Sequence, residues 1–429
     1  MSDIEDVYPL IPFQQDLLAR AKRARGGGVH QAVWELPESV DVDALDEAWQ
    51  MLVVLSPVLR TTFGSTRYPL AQVVWTDVDS RVTVADWRHH ASDRQVCMLH
   101  NLLARQRVAG FDFSAAPLAR LAAIRCAADR AWLVWTGHRL IIDDWSLEQL
   151  RNDLVSLYLS MCRRPAESAV VRLPFRHFLS WLDRRDPRAD HRYWADHLAG
   201  YVGMSKLGRL GPVRSNDVGR GRLRVRLTST ERARVVAFAK VNRLTVETMV
   251  EGALALALGV SAGSDDVAFA VRTSGRPPEV RDVEQIIGPL AVTVPRRVRL
   301  GDEPLVSWLT ALQSARVEAR LHEHAPLSEI RAAAAAPGAV SLDEVVLGFD
   351  HHWSATSGVE VATVWSMSDT GARLGLEVGT GEPFTITVVH ESGSDRWARS
   401  VARDVRRALS AMAVDDANAT SRGLLRVWP

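Results

Sequence analysis

Apolar residues recur along the chain at two periods, and the switches between them mark out the elements. Three to four residues apart, Leu45, Ala48, Trp49, Leu52 and Val53 form one stripe within 41–55, which predicts a helix capped by Asp41 or Asp43. The same period predicts helices over 14–25, 90–109, 146–162, 175–182, 191–199, 245–258, 304–321 and 327–335. Thr228 and Glu231 form a capping-box pair at the start of another, which runs to about Asn242. Trp397, Val401, Val405, Leu409 and Met412 share one face of a last helix over 394–413. Alternation or short apolar runs predict strands over 30–36, 70–75, 81–86, 118–125, 131–138, 222–228, 266–272, 290–299, 344–349, 359–365, 372–377 and 384–390. The run 131–138 is almost wholly apolar, as a strand covered on both faces would be. Residues 163–173 and 209–220 read as loops. Strands and helices mix in both halves, so the fold class is α+β, with a lobe boundary at residues 172 and 173.

Composition narrows the function classes. The 429 residues are 47% apolar and 24% charged, with a formal net charge of +1, which gives no broad basic footprint for nucleic acid or an anionic membrane. Only Lys22, Lys206 and Lys240 among the 52 basic residues are lysines, a bias that fits a GC-rich coding sequence. Cys97, Cys126 and Cys162 are odd in number and far apart, which argues against a disulfide framework or a zinc site. No signal-like or membrane-spanning apolar run is present, and the expected location is cytoplasmic.

The chemistry-bearing stretch is Gly137-His138-Arg139-Leu140-Ile141-Ile142-Asp143-Asp144-Trp145-Ser146, where a buried strand ends and a helix begins. Successive strand residues face opposite sides, so His138 and Arg139 point apart. In general an Arg-Asp-Asp cluster at a strand end is a structural ion-pair network. Other candidates are weaker. His351-His352 reads as strand-end polar residues, and His322-Glu323-His324 as a solvated helix end without metalloprotease spacing. His89-His90 reads as surface loop. Ser274 lacks a nucleophile-elbow context, and Gly26-Gly27-Gly28 lacks a phosphate-loop lysine. Trp49, Trp132 and Trp135 read as core.

The stretch resembles the His-His-x-x-x-Asp-Gly signature of the condensation domains of nonribosomal peptide synthetases, in the chloramphenicol-acetyltransferase-like superfamily. Further blocks resemble that family in its order. They are 8–15 (Tyr-Pro-Leu-Ile-Pro-Phe-Gln-Gln), 56–63 (Ser-Pro-Val-Leu-Arg-Thr-Thr-Phe), Phe111-Asp112 with 117–120, and Arg192-Tyr193-Trp194 with Leu198. Then follow Ser274-Gly275-Arg276-Pro277, 287–290 with 293–295, and 323–327. The resemblance implies two acyltransferase-like lobes in a V-shaped pseudo-dimer, 1–172 and 173–429, with a tunnel between them for carrier-bound substrates. It implies that the motif's second histidine serves amide-bond formation, and that its aspartate, here Asp143, is structural and pairs with a distant arginine, Arg276 or Arg272.

Two positions depart from the signature. Arg139 stands where the family has its catalytic histidine, and a guanidinium does not shed its proton near neutral pH. It is long enough to fill the channel. Asp144 stands at the glycine, placed to pair with Arg139. His-Arg-x-x-x-Asp-Asp is similar to the X-domain of glycopeptide-antibiotic synthetases, which implies a catalytically silent domain. Its implied role is to recruit cytochrome P-450 oxygenases to the carrier-bound peptide for aromatic cross-linking. The expected partners are those oxygenases and the adjacent peptidyl carrier domain, with no cofactor, no metal and a monomeric state. Candidate contact residues lie in two charged segments: Arg151, Arg163 and Arg164, then Arg184, Arg185, Arg188 and Asp190. The alternatives are an active amide- or ester-forming domain, working through His138 or by positioning alone, and a structural spacer.

Overall fold

The computed structural model describes residues 3–21, 27–36, 39–64, 71–164, 172–204, 220–333, 342–350, 362–368, 372–391, 394–414 and 419–426. Two compact units emerge. Unit one is Met1–Arg185 with Ser274–Ala291 and Trp353–Gly371; unit two is Asp186–Thr273, Val292–His352 and Ala372–Pro429.

Unit one runs β1 (Ile4–Pro9), α1 (Pro12–Ala21), β2 (Val29–Leu36), α2 (Val42–Leu55), β3 (Thr61–Phe63), β4 (Ala71–Trp75) and β5 (Thr83–Asp86). It continues through α3 (Ser92–Ala109), β6 (Ala119–Ala127), β7 (Arg130–His138), α4 (Asp144–Met161) and α5 (Arg176–Leu182). The late strand β12 (Ala362–Ser368) joins it as an edge, giving the sheet order β12-β2-β7-β6-β5; a smaller sheet has the order β1-β4-β3. The apolar run of β7 is explained by cover on both faces. Val134 and Trp132 meet Leu99 and Leu103 of α3 on one side. Leu133 and Trp135 meet Trp49 of α2 and Leu147 and Leu150 of α4 on the other. Asp41 caps α2, accepting from the N–H groups of Asp43 and Ala44.

The boundary at residue 172 is corrected to Arg185, because Phe175 and Phe178 of α5 pack with Ile11, Val283, Ile286 and Leu290 in one apolar cluster. Periodicity carries no sign of this long-range packing. It also misses β1, whose side chains are largely exposed, and β3, which is only three residues long.

Unit two contains α6 (Pro187–Leu198), β8 (Arg220–Arg226), α7 (Ser229–Val241), α8 (Val246–Ala262), β9 (Asp266–Thr273), β10 (Val292–Arg299), α9 (Leu305–Arg320) and α10 (Leu327–Ala333). Next come β11 (Val345–Asp350), β13 (Leu374–Gly379), β14 (Thr385–Glu391), α11 (Asp395–Met412) and α12 (Ser421–Arg426), the last of which the sequence pattern misses. The six strands take the order β10-β9-β11-β13-β14-β8, with β11 parallel to both neighbours. Helix α8 is apolar nearly all round and is buried between this sheet, α9 and α11, as a core helix must be. The capping box of Thr228 and Glu231 forms as the sequence predicts.

Candidate functional site

The motif forms the link between β7 and α4 in unit one. Leu140, Ile141 and Ile142 are fully buried and anchor the turn. The buried Gln14 side chain holds it from α1: its amide donates to the Leu140 carbonyl (2.9 Å) and its oxygen accepts from the Ile11 N–H (3.0 Å). Gln14 also meets the Gln72 side chain at 3.1 Å. The glutamine of the opening sequence block thus ties α1 to the motif turn.

His138 uses both ring nitrogens locally. Nδ1 accepts from the Leu140 N–H at 3.1 Å, which leaves Nε2 to donate to the Gly27 carbonyl at 2.9 Å. Phe113 and Phe111 pack edge-on against the ring at centroid distances of 5.0 and 6.2 Å. Gly28 lies beneath it at φ +78°, and a Cβ there would sit 2.9 Å from the imidazole. The turn at Gly27 and Gly28 is therefore shaped around His138, with left-handed backbone at Gly28 that favours glycine.

Arg139 is buried. Its N–H donates to the Gly28 carbonyl (2.9 Å), and its guanidinium lies 5.3 Å from the centre of the Phe13 ring. Asp144 is in the first turn of α4, where a carboxylate complements the helix dipole, and its Oδ1 lies 3.3 Å from Nε2 of the buried His30. His30 sits on β2 opposite Gly137, and nothing in its sequence neighbourhood singles it out.

Asp143 begins α4. Sequence pattern places the start at Ser146; the correction follows from the Asp143 carboxylate, which accepts the Ser146 N–H at 2.7 Å and caps the helix itself. Its two oxygens take four further donors: Leu290 N–H (3.1 Å), Ala291 N–H (2.9 Å), and Arg276 Nη1 (2.8 Å) and Nη2 (3.3 Å). Of the two arginines considered, Arg276 is its partner; Arg272 instead pairs with Glu377 at 2.8 Å in unit two. The Trp-Ser pair after the motif serves the same joint. Ser146 Oγ accepts from Arg276 Nη2 (2.9 Å) and Gly288 N–H (3.0 Å) and donates to the Gly288 carbonyl (2.9 Å). Trp145 Nε1 donates to the Glu284 carbonyl at 3.0 Å, and the Arg276 guanidinium stands 5.1 Å from its ring. A side chain at Gly275, φ +58°, would overlap the Leu290 carbonyl. These bonds fasten 274–291 into unit one.

The candidate contact residues divide. Arg163, Arg164, Arg184 and Arg188 are exposed. Arg185 is half-buried, with its guanidinium 5.0 Å from the Trp181 ring. Two are corrected to interior positions. Arg151 is buried, 2.8 Å from Glu148 and bonded to Thr363 of the edge strand β12. Asp190 is buried against His322, Oδ1 to Nδ1 2.7 Å. Helical periodicity marks a charged face but does not show what folds back over it.

His322-Glu323-His324 is likewise no solvated helix end. Glu323 and His324 are buried, Glu323 accepts from Thr273 Oγ1 (2.8 Å), and Tyr193 stacks on His322 at 4.3 Å. Trp194 Nε1 donates to the His322 carbonyl at 3.0 Å, so two of the sequence blocks meet here in unit two. Among the described residues no group of three or more metal-type side chains converges. His89 and His90 are exposed; His351 and His352 lie outside the described residues. No single described helix is long and apolar enough to cross a membrane.

A model of the condensation-domain family matches residues 4–352. The chain belongs to the condensation-domain family. One polypeptide of the linear gramicidin synthase from Brevibacillus parabrevis is 32% identical over 406 residues, which are 91% of this chain and 8% of that protein. A second polypeptide of the same synthase is 30% identical, over 96% of this chain and 5% of its own length. This condensation domain thus spans a small part of the relatives that it matches. Among solved structures, the complex of the X-domain and OxyB from teicoplanin biosynthesis aligns with a TM-score of 0.74 and 21% identity, over 95% of this chain and 94% of that one. The condensation domain of the monacolin K polyketide synthase gives 0.78 and 17%, over 97% and 99%. These structural likenesses establish the condensation-domain fold.

Proposed function

We propose that this condensation-type domain is catalytically silent and recruits cytochrome P-450 oxygenases to a peptide held on the neighbouring carrier domain, as part of glycopeptide-antibiotic assembly. The observation that carries the reading is Arg139 in the position of the family's catalytic histidine. Aminolysis of a thioester releases a proton, and a guanidinium with a pKa above ~12 does not accept it. The neighbouring imidazole offers no substitute, because His138 spends Nδ1 on Leu140 and Nε2 on Gly27. Asp143 is saturated by five donors and serves as a strut. One structural likeness supports the recruiting role: a teicoplanin X-domain that aligns over most of this chain is held in a complex with OxyB.

The direct test of recruitment is association of the purified chain with cytochrome P-450 enzymes encoded beside its own synthetase, followed by isothermal calorimetry at low salt. A saturable complex with at least one of them is expected. No association with any would reduce the domain to a spacer.

A second reading, condensation between carrier-bound substrates, draws on the 32% identity with the linear gramicidin synthase polypeptide. It requires a proton acceptor other than residue 139, and His138→Ala would have to abolish product.

A further inference from the structure

Helix α6 is thinly anchored. Of its twelve residues the buried ones are Asp190, Trp194 and Leu198, so only two of them are apolar. Further ties run from Asp190 Oδ1 to His322 Nδ1 (2.7 Å), from Trp194 Nε1 to the His322 carbonyl (3.0 Å) and from Arg297 Nη1 of β10 to the Ala199 carbonyl (2.6 Å). On the same helix Tyr193 and His197 stack with their rings 5.5 Å apart. Tyr193 Oη and His197 Nε2 are both buried and have no hydrogen-bond partner among the described residues. The strand beside them repeats the pattern. Arg296 of β10 is 2% exposed and its Nη1 has no such partner. Its Nε approaches the wholly buried Glu251 at 3.4 Å without hydrogen-bond geometry.

Groups of this kind have lost water without a protein partner to replace it, which weakens the seat of α6 relative to the apolar core around α8. When the helix lifts, water reaches them. We propose that α6 is a strap that lifts from β10 and reseats, and that protonation of His197 favours the lifted position. The inference is independent of whether the domain is catalytically silent. Seated, His197 resists the proton: burial, with the cations Arg296, Arg297 and Arg299 of β10, holds its pKa at about 4. Arg297 is paired with Asp266 of β9 at 2.7 Å. Arg296 faces Glu251 of α8, which also meets Arg316 of α9 at 3.5 Å. Glu323 acts on Arg296, and Glu318 on Tyr193, whose ring also stacks on His322 at 4.3 Å. Lifted, the imidazole is hydrated and takes a proton at about 6.5. Acid therefore favours lifting as the pH falls from about 6.5 to 4, by up to about tenfold per pH unit, and has no such effect above that window.

Hydrogen exchange of the full chain, followed by mass spectrometry and corrected for the intrinsic effect of pH, reads the lifting directly. Peptides covering 187–198 should exchange through a local opening, well ahead of peptides from α8. The opening constant should rise about tenfold from about pH 7.5 to about pH 5.5. His197→Gln should remove most of that rise, which separates His197 from His322 and Glu251. Tyr193→Phe deletes one unpaired hydroxyl and should slow the opening at about pH 7.5. Exchange of α6 only together with α8, at the rate of global unfolding, overturns the strap. So does opening that is unchanged or faster in Tyr193→Phe. A full pH dependence retained by His197→Gln overturns His197 as the trigger.

Discussion

The carboxylate of Asp143 and the guanidinium of Arg276 meet at 2.8 Å although 133 residues separate them in sequence, and both are almost wholly buried. This pair joins the start of α4 to 274–291. Removing one partner strands a buried charge, so Asp143→Ala or Arg276→Met should each cost about 3–5 kcal/mol. Asp143→Ala also loses the helix cap and leaves the Leu290 and Ala291 N–H groups unpaired. Urea unfolding of the singles and the double variant measures the coupling. The double should cost clearly less than the sum of the singles, and strict additivity would deny that the two residues act as one strut.

Gly28→Ala should destabilise unit one by about 1–3 kcal/mol, because a side chain there meets both left-handed backbone and the His138 ring 2.9 Å away. Equilibrium unfolding checks it, and a neutral effect would mean that the glycine turn does not clamp His138.

The pH dependence of stability has an identifiable contributor in His197. Burial, with the positive charges of Arg296, Arg297 and Arg299, pushes its pKa down to about 4. The native state therefore resists protonation while the unfolded chain accepts a proton at about 6.5. The contribution is fully present above pH ~6.5 and is lost as the pH falls towards 4, at up to about 1.4 kcal/mol per pH unit. Urea midpoints between about pH 7.5 and 4.5 should fall less steeply in His197→Gln than in the native chain. Parallel curves would remove His197 as the cause.

Glu231 acts in a lower window. Burial alone raises its pKa, but bonds from Arg406 and from the N–H and hydroxyl of Thr228 outweigh that and hold it at about 2. Its contribution is present above about 4.5 and disappears as the pH drops to 2. Glu231→Gln should flatten the acid-unfolding curve there, as followed by circular dichroism.

Much of this was legible in the sequence because it is local. The capping box at Thr228, the Asp41 cap and the doubly covered strand β7 each follow from residues within one element. The Asp143–Arg276 pairing was accessible through resemblance to the family, with Arg272 left as the alternative. What periodicity does not carry is long-range closure. The helix face holding Arg151 reads as solvated until β12 arrives from more than 200 residues away and bonds it. Asp190 reads as surface until His322 comes to rest on it. The motif's neighbours show the same limit: Gln14 was part of a recognised block, but its hold on Leu140 and the approach of His30 to Asp144 depend on how strands and helices come together.

Arg139→His with Asp144→Gly restores the family signature at both departures and tests whether the silence rests on those side chains alone. Condensation is expected to rise above that of the native chain, because the missing proton acceptor at residue 139 is what carries the silent reading, and the substitution also removes the contacts of Arg139 with Phe13 and of Asp144 with His30. Recovered turnover in this variant would place the whole loss of chemistry at residues 139 and 144.

The central claim is that the native chain forms no peptide bond, and a single-turnover condensation assay reads it directly. Purified chain is mixed with donor and acceptor amino acids loaded on their carrier domains, and the products are followed by mass spectrometry. The account predicts no product above that of the carriers alone. Product formed at a rate that depends on the concentration of the native chain would contradict it.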